Sequence, residues 1–374
     1  GFLASPPILY TAVDGPLHWP EFPVQTMKIS STMMLCATCV LLLAASRSNP
    51  HYNPAKSHHT QSGFRNNYPH QEKQSFWKWQ WERWTHGVPE NPPGGYGFAL
   101  LQPDAAFLAS NRVEPTLTWI GHATLLLQVG GVNILTDPHL TERASPVSFA
   151  GPKRQVPPAL SLDNLPRIDV VVVSHNHYDH LDAGTVTWLN RQAGGPPRFF
   201  VPLGLKAWFA SHGIENVSEL DWWDHLQHMG LAIHFVPVQH WSARSPWDRN
   251  ETLWGGWMIE HPTLRFFFSG DTGYSKDFAD IRSRFGPIDL AALPVGCYEP
   301  RWFMKENHVN PAESVQVHLD LGARYSVGIH WGTFRLTDER LDEPPKKLTE
   351  ALAAAGIPEE QFFLMKHGET RKLD

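Results

Sequence analysis

No segment of this sequence leaves its fold less freedom than Ser174-His175-Asn176-His177-Tyr178-Asp179-His180. It directly follows the apolar stretch Ile168-Asp169-Val170-Val171-Val172-Val173, so an H-x-H-x-D-H cluster stands at the end of a buried strand. Imidazoles and carboxylates desolvated there need a compensating partner. They are the ligand types that suit zinc and its neighbours. A polar loop that merely happens to be rich in His offers no such compensation. The fold must therefore bring further ligands to the same strand end.

Three candidates recur in the right setting. His240, Asp271 and His330 each stand just after an apolar strand candidate, at 231–238, 264–268 and 325–329. Ligands on strand ends meet at one rim of a sheet sandwich, held by rigid elements. The chain from 116 to 136 reads as antiparallel strands, with Gly130-Gly131 as a hairpin turn. After the His cluster, helices at 184–192, 203–212 and 277–285 alternate with short strands. Asn310-Pro311-Ala312-Glu313 opens another helix, with Asn as N-cap, Pro at the first turn and Glu three residues on. This mixture predicts an α+β fold of two sheets with helices outside.

Composition narrows the function. At 374 residues, 42% of them apolar, the chain is long enough for one large domain or two ordinary ones. A net charge of −6 argues against a nucleic-acid partner. Of three cysteines, Cys36 and Cys39 lie in the N-terminal apolar stretch and Cys297 stands alone, which excludes a disulfide framework for the main body. Met27-Lys28, an apolar core over 33–45 and Ala44-Ala45-Ser46 resemble a secretory signal, too short for a membrane span. No convincing lipobox precedes Cys36 or Cys39. The expected organisation is an upstream and signal-like segment over 1–46, a polar, mobile linker and Trp-rich helix over 47–112, and a hydrolase domain over 113–374. Trp77, Trp81 and Trp84 are spaced to share one helical face. That face either lies on a membrane surface or docks on the main domain, and the scarcity of Lys and Arg favours docking.

From about residue 113 onward the chain resembles the metallo-β-lactamase superfamily, and within it the branch of N-acyl-phosphatidylethanolamine-hydrolysing phospholipases D. The resemblance is carried by Trp119-Ile120-Gly121-His122-Ala123, Thr136-Asp137-Pro138, the block 174–182, Leu220-Asp221-Trp222-Trp223, Phe268-Ser269-Gly270-Asp271-Thr272-Gly273-Tyr274, Tyr298-Glu299-Pro300-Arg301-Trp302-Phe303-Met304 and Ile329-His330-Trp331-Gly332. It implies an αββα sandwich carrying two Zn²⁺ ions. His175, His177 and His240 would hold one ion; Asp179, His180 and His330 would hold the other; Asp271 would bridge them. A hydroxide shared by the metals would attack phosphorus and release N-acylethanolamine and phosphatidic acid. Catalytic roles fall to Asp271, Asp179 and His308, the last matching a family histidine near the phosphate. Tyr178 and Tyr298 are candidate walls of the substrate site, beside His308. Asp182, Asp137 and His122 are candidates for orienting ligand imidazoles, which need such partners. A homodimer at a membrane surface is implied. The signal-like start suggests a bacterial homologue, periplasmic or membrane-associated, or at the cytoplasmic membrane face if the signal is not one.

Competing readings make distinct demands. A sugar-phosphate lactonase shares Gly121-His122-Ala123 and the first cluster, but the Trp- and Phe-rich blocks favour a greasier substrate. A β-lactamase is disfavoured because Asp271 stands where that branch often has cysteine. A tRNA-processing nuclease lacks its basic surface here. A structural metal-binding protein does not explain seven ligands, since structural zinc sites are closed and mononuclear.

Overall fold

The computed structural model describes residues 48–68 and 75–373. The signal-like stretch, with Cys36 and Cys39, lies outside the described residues. Residues 48–68, expected as a mobile linker, are folded as a strap. β1 (His59–Thr60) and β2 (Gly63–Phe64) form a small hairpin. Composition concealed this because the strap is anchored by polar groups: His58 and His59 reach the Asp221 carboxylate at 2.7 and 2.8 Å.

Helix α1 (Phe76–His86) is N-capped by Ser75, whose hydroxyl accepts from Lys78 N at 3.2 Å. The expected docking face is wrong. Trp77, Trp81 and Trp84 are 80%, 62% and 76% exposed. Trp79 docks instead: its ring stacks on Phe303 at 4.9 Å and its indole N–H donates to Asp338 at 2.7 Å. An indole is buried most readily where its N–H finds an acceptor, and only Trp79 has one there. A short α2 (Ala105–Ser110) leads into the sheets.

The first sheet begins as the expected meander of β3 (Thr116–Gly121), β4 (Thr124–Val129) and β5 (Val132–Thr136). Gly130 and Gly131 turn with φ of 59° and 78°, a conformation that suits residues without Cβ. Then β6 (Val170–Val172), β7 (Arg198–Pro202) and β8 (Val217–Leu220) continue in parallel. Helices α3 (Ala183–Leu189) and α4 (Lys206–Ser211) cover its outer face. Alternation decides which residues face where. Leu125 and Leu127 join the core between the sheets, while Leu126 turns out with Val171 toward the helices.

The second sheet comprises β9 (His225–His228), β10 (Leu231–Val236), β11 (Gly256–His261), β12 (Leu264–Phe268), β13 (Ile288–Pro294), β14 (Ala323–Ile329) and β15 (Phe362–Phe363). Its helices are α5 (Asp277–Phe285), the single-turn α6 (Arg301–Met304), α7 (Pro311–Leu321) and α8 (Glu343–Ala355). The capping box at α7 forms as expected, with Asn310 Oδ1 accepting from Glu313 N at 2.8 Å. β16 (Thr370–Lys372) returns to pair with β3, so the chain ends on the first sheet. The result is the expected αββα sandwich.

Strand direction places the chemistry. β3, β5 and β6 point the same way, and so do β10, β12, β13 and β14. Beyond their C-terminal ends stand His122, Asp137, the 175–180 cluster, His240, Asp271, Cys297 and His330. His122, Asp137, Cys297 and His330 hold positive φ of 55°, 31°, 64° and 62°. Such conformations are unfavourable for these side chains and concentrate where function requires them. Gly270, just before Asp271, is there by necessity: a Cβ would lie 2.4 Å from that of Ser174.

Candidate metal centre

Seven side chains from both sheets converge at this rim. His175 Nε2 and His177 Nδ1 are 2.8 Å apart, and His240 Nε2 is 3.4 Å from His177 Nδ1. Beside them, His180 Nε2 lies 3.1 Å from His330 Nε2, and Asp179 Oδ2 lies 3.3 and 3.2 Å from those two atoms. Asp271 spans both groups. Its Oδ1 is 3.1 Å from His330, and its Oδ2 is 3.2 Å from His180 and 3.9 Å from His240. The seven side chains named from the resemblance are thus brought together at one rim, with His175 also close to His180, their ring centroids 4.2 Å apart.

The far sides of these rings set their tautomers. His240 Nδ1 lies 2.9 Å from the Asn307 carbonyl, which it serves as donor, leaving Nε2 as the bare nitrogen facing inward. His180 Nδ1 lies 2.6 Å from Asp137 Oδ2. Asp137 in turn accepts from Ser174 N at 2.6 Å, so it orients His180 as expected. His122 Nε2 reaches Asp179 Oδ2 at 3.1 Å, so it meets a carboxylate. Asp182 departs from expectation. It caps α3, accepting from Gly184 N and Thr141 N at 3.2 Å, and touches no ligand imidazole.

Burial pushes His175 and His240 well below the usual imidazole range, and His177 to about 4. These are neutral, ligand-ready rings. Burial acts the same way on His180 and His330, but Asp271 and Asp179 overcome it and raise both. The carboxyls of Asp179 and Asp271 are in turn held low, against the effect of burial, by His180 and His330. Inward-facing imidazole nitrogens with two carboxylates among them form a donor set that fits divalent metal, which takes the place of the protons.

A second group, His58, His59 and Asp221, also brings potential ligand atoms together, but a lysine shares it. Lys56 Nζ already lies 2.6 Å from Asp221 Oδ2, and each imidazole meets a carboxylate oxygen at hydrogen-bond distance. The Asp221 carboxylate is thus already fully engaged by an ammonium and two imidazoles.

The rim opens into a cavity of about 760 Å³. His177, Asp179, Asp271 and His308 reach it, and Phe76, Trp79, Phe303 and Met304 form an apolar wall. His308 Nδ1 stands 3.8 Å from Asp271 Oδ2. Two expected wall residues are elsewhere. The Tyr178 hydroxyl donates to Arg244 O at 2.9 Å in a neighbouring hollow. Tyr298 is buried and donates to Glu343 at 2.8 Å. Sequence reasoning missed Trp241, Arg249 and Cys297 in the same cavity. Trp241 and Arg249 follow His240 on one loop, and that closeness is their only sequence signal.

Comparison with known proteins agrees with this geometry. A family profile described as "Beta-lactamase superfamily domain" matches residues 132–331. "N-acyl-phosphatidylethanolamine-hydrolyzing phospholipase D 1" of Caenorhabditis elegans is 45% identical over 267 residues, covering 67% of this chain and 74% of that protein. The mitochondrial protein of the same descriptive name from Saccharomyces cerevisiae is 39% identical, covering 69% and 56%. Among solved structures, a possible metal-dependent hydrolase from Veillonella parvula shares the fold, with a TM-score of 0.57 at 20% identity over 70% of this chain and all (100%) of that one.

Proposed function

Because the chain belongs to the β-lactamase superfamily and is an enzyme of its metal-dependent hydrolase kind, we propose that it is a zinc phosphodiesterase of phospholipase D type. Its substrate is N-acyl-phosphatidylethanolamine, hydrolysed to N-acylethanolamine and phosphatidic acid at a dinuclear centre. The observation that carries this reading is the seven-ligand rim at the base of a cavity with an apolar wall. Two neighbouring ion sites suit an in-line displacement at phosphorus, and an apolar wall suits acyl chains. Two zinc ions, when bound, make water acidic enough to attack at neutral pH and take up charge on phosphoryl oxygens.

The chain's own groups supply the rest. Asp137 and Asn307 fix the rings of His180 and His240, so the ligand set is organised before substrate arrives. Burial lowers His308 to about 4, so at neutral pH it is an uncharged ring, suited to donating a hydrogen bond to a phosphoryl oxygen. The exposed Trp77, Trp81 and Trp84 lie on the helix that lends Phe76 and Trp79 to the cavity wall, which supports substrate entry from a membrane surface. Among the described residues no helix is long and apolar enough to cross a membrane.

Purified chain with zinc should release N-acylethanolamine from the lipid, and His177→Ala and Asp271→Asn should each abolish that release. A wild-type protein active on lactones but on no phosphodiester would overturn the reading.

A further inference from the structure

The strap 48–68 lies outside the matched span 132–331, yet it reaches the metal rim. It is stitched to the loop between β10 and β11, the loop that carries His240. Phe64 N donates to Asn250 O at 2.9 Å. The approach at Gly63 is so close that a Cβ would meet Asn250 O at 2.1 Å. Two residues beyond Phe64, Asn66 brackets the main chain of a metal ligand. Its Nδ2 donates to His240 O at 2.9 Å, and its Oδ1 accepts from His240 N at 3.2 Å and from Trp254 Nε1 at 3.0 Å.

We propose that Asn66 is a positioning residue of the metal centre, making the N-terminal strap part of that centre. The geometry divides the work on His240. Asn307 O holds the ring through Nδ1, and Asn66 holds the peptide from both sides. With main chain and ring both fixed, the inward Nε2 has little freedom left. His240 stands four residues beyond β10, just past an isolated bridge between Gln239 and Gly273, and its own N–H and C=O are taken by Asn66. The strap is itself held elsewhere: by Lys56, His58 and His59 on Asp221, by Asn67, whose Nδ2 donates to Asp277 Oδ1 at 2.9 Å, and by Tyr68, whose hydroxyl donates to Asp280 at 2.7 Å.

A half-buried asparagine that only stabilises the fold would make similar bonds, so the test needs a readout stability does not move. Asn67 provides the control, since it makes a comparable strap bond one residue on without touching a ligand. Zinc affinity of the full chain, measured by competition with a chromophoric chelator, should fall about 10- to 100-fold in Asn66→Ala. In Asn67→Ala it should stay at the wild-type value. Asn66→Ser is measured beside them, and any folded Asn66 variant is read. Wild-type affinity in Asn66→Ala, or equal loss in Asn67→Ala, overturns the proposal. So does a failure of both Asn66 variants to fold while Asn67→Ala folds, since Asn66 would then serve folding alone. The proposal rests on the metal-centre part of the proposed function and not on its substrate. A wild-type chain that takes up no zinc sinks the metal reading, whereas wild-type uptake with an unaffected Asn66→Ala sinks only this inference.

Discussion

Among single residues, Arg249 is the only Lys or Arg of the described residues that lines the cavity at the candidate metal centre. Its guanidinium lies 4.1 Å from the centroid of the Trp241 ring, and Trp241 packs edge-on against His177 at 4.3 Å. One indole therefore separates this cation from a metal ligand. Partial burial lowers its pKa. Stacking orients a planar fork that matches phosphoryl oxygens. Arg249→Gln should raise KM for an anionic phosphodiester about 10- to 100-fold with little change in kcat, from loss of a charge-assisted hydrogen bond. Arg249→Lys should restore only part of it. An unchanged KM in steady-state kinetics would remove Arg249 from substrate recognition. Residues of this kind were hidden in the sequence, while the candidate ligands that meet at the rim were legible. H-x-H-x-D-H after a buried strand has almost no other physical use, and Asp271 and His330 repeat its setting. Tyr178 marks the limit: it sits between two ligands, yet its hydroxyl turns away to Arg244 O. Adjacency in sequence does not fix side-chain direction.

Among elements, α1 shows what periodicity can and cannot decide. Spacing puts Trp77, Trp81 and Trp84 on one side, but spacing alone cannot say which side is buried. That depended on Phe303 and Asp338, more than two hundred residues away. The exposed indoles make an apolar stripe beside the cavity wall, an arrangement suited to a bilayer interface. Replacing Trp77, Trp81 and Trp84 together by Ser should reduce co-sedimentation with phospholipid vesicles several-fold. Hydrolysis of a soluble phosphodiester should be preserved. Equal vesicle binding by both proteins would assign the stripe no membrane role. Strands were the most readable elements, since two-residue alternation and the Gly130-Gly131 turn act locally. β9 and β16 were not readable. β9 is largely exposed and His-rich, and β16 is a three-residue edge strand that exists only because β3 is there to pair with it.

On the scale of the whole molecule, the strap ties the two halves together. It is anchored at Asp221, just beyond β8 of the first sheet, and at Asn67–Asp277 on α5 of the second. Its polar composition reads as a linker because it sends Phe64 into the core and is otherwise held by polar bonds, among them those to Asp221. The Asp221 carboxyl is the centre of that bonding. Burial would raise its pKa, but the bonds from His58 and Lys56 outweigh burial and hold it below the usual carboxylate range. A carboxyl held low in the folded state adds stability that is complete above its ordinary pKa of about 3.9. That stability is lost as pH falls further, toward the folded value. Asp221→Asn keeps the shape but leaves Lys56 without its counter-charge and His58 and His59 without the carboxylate they bond. At neutral pH it should lower stability on the order of 3 kcal/mol, as breaking a buried ion pair does. Urea unfolding of both proteins, at pH 7 and again below pH 4, checks the sign. The gap between them should be wider at pH 7 than below pH 4, where the carboxyl of the unfolded wild-type chain takes up a proton that the folded one does not. A gap that stays constant or widens in acid would mean the strap is not held by the Asp221 charge.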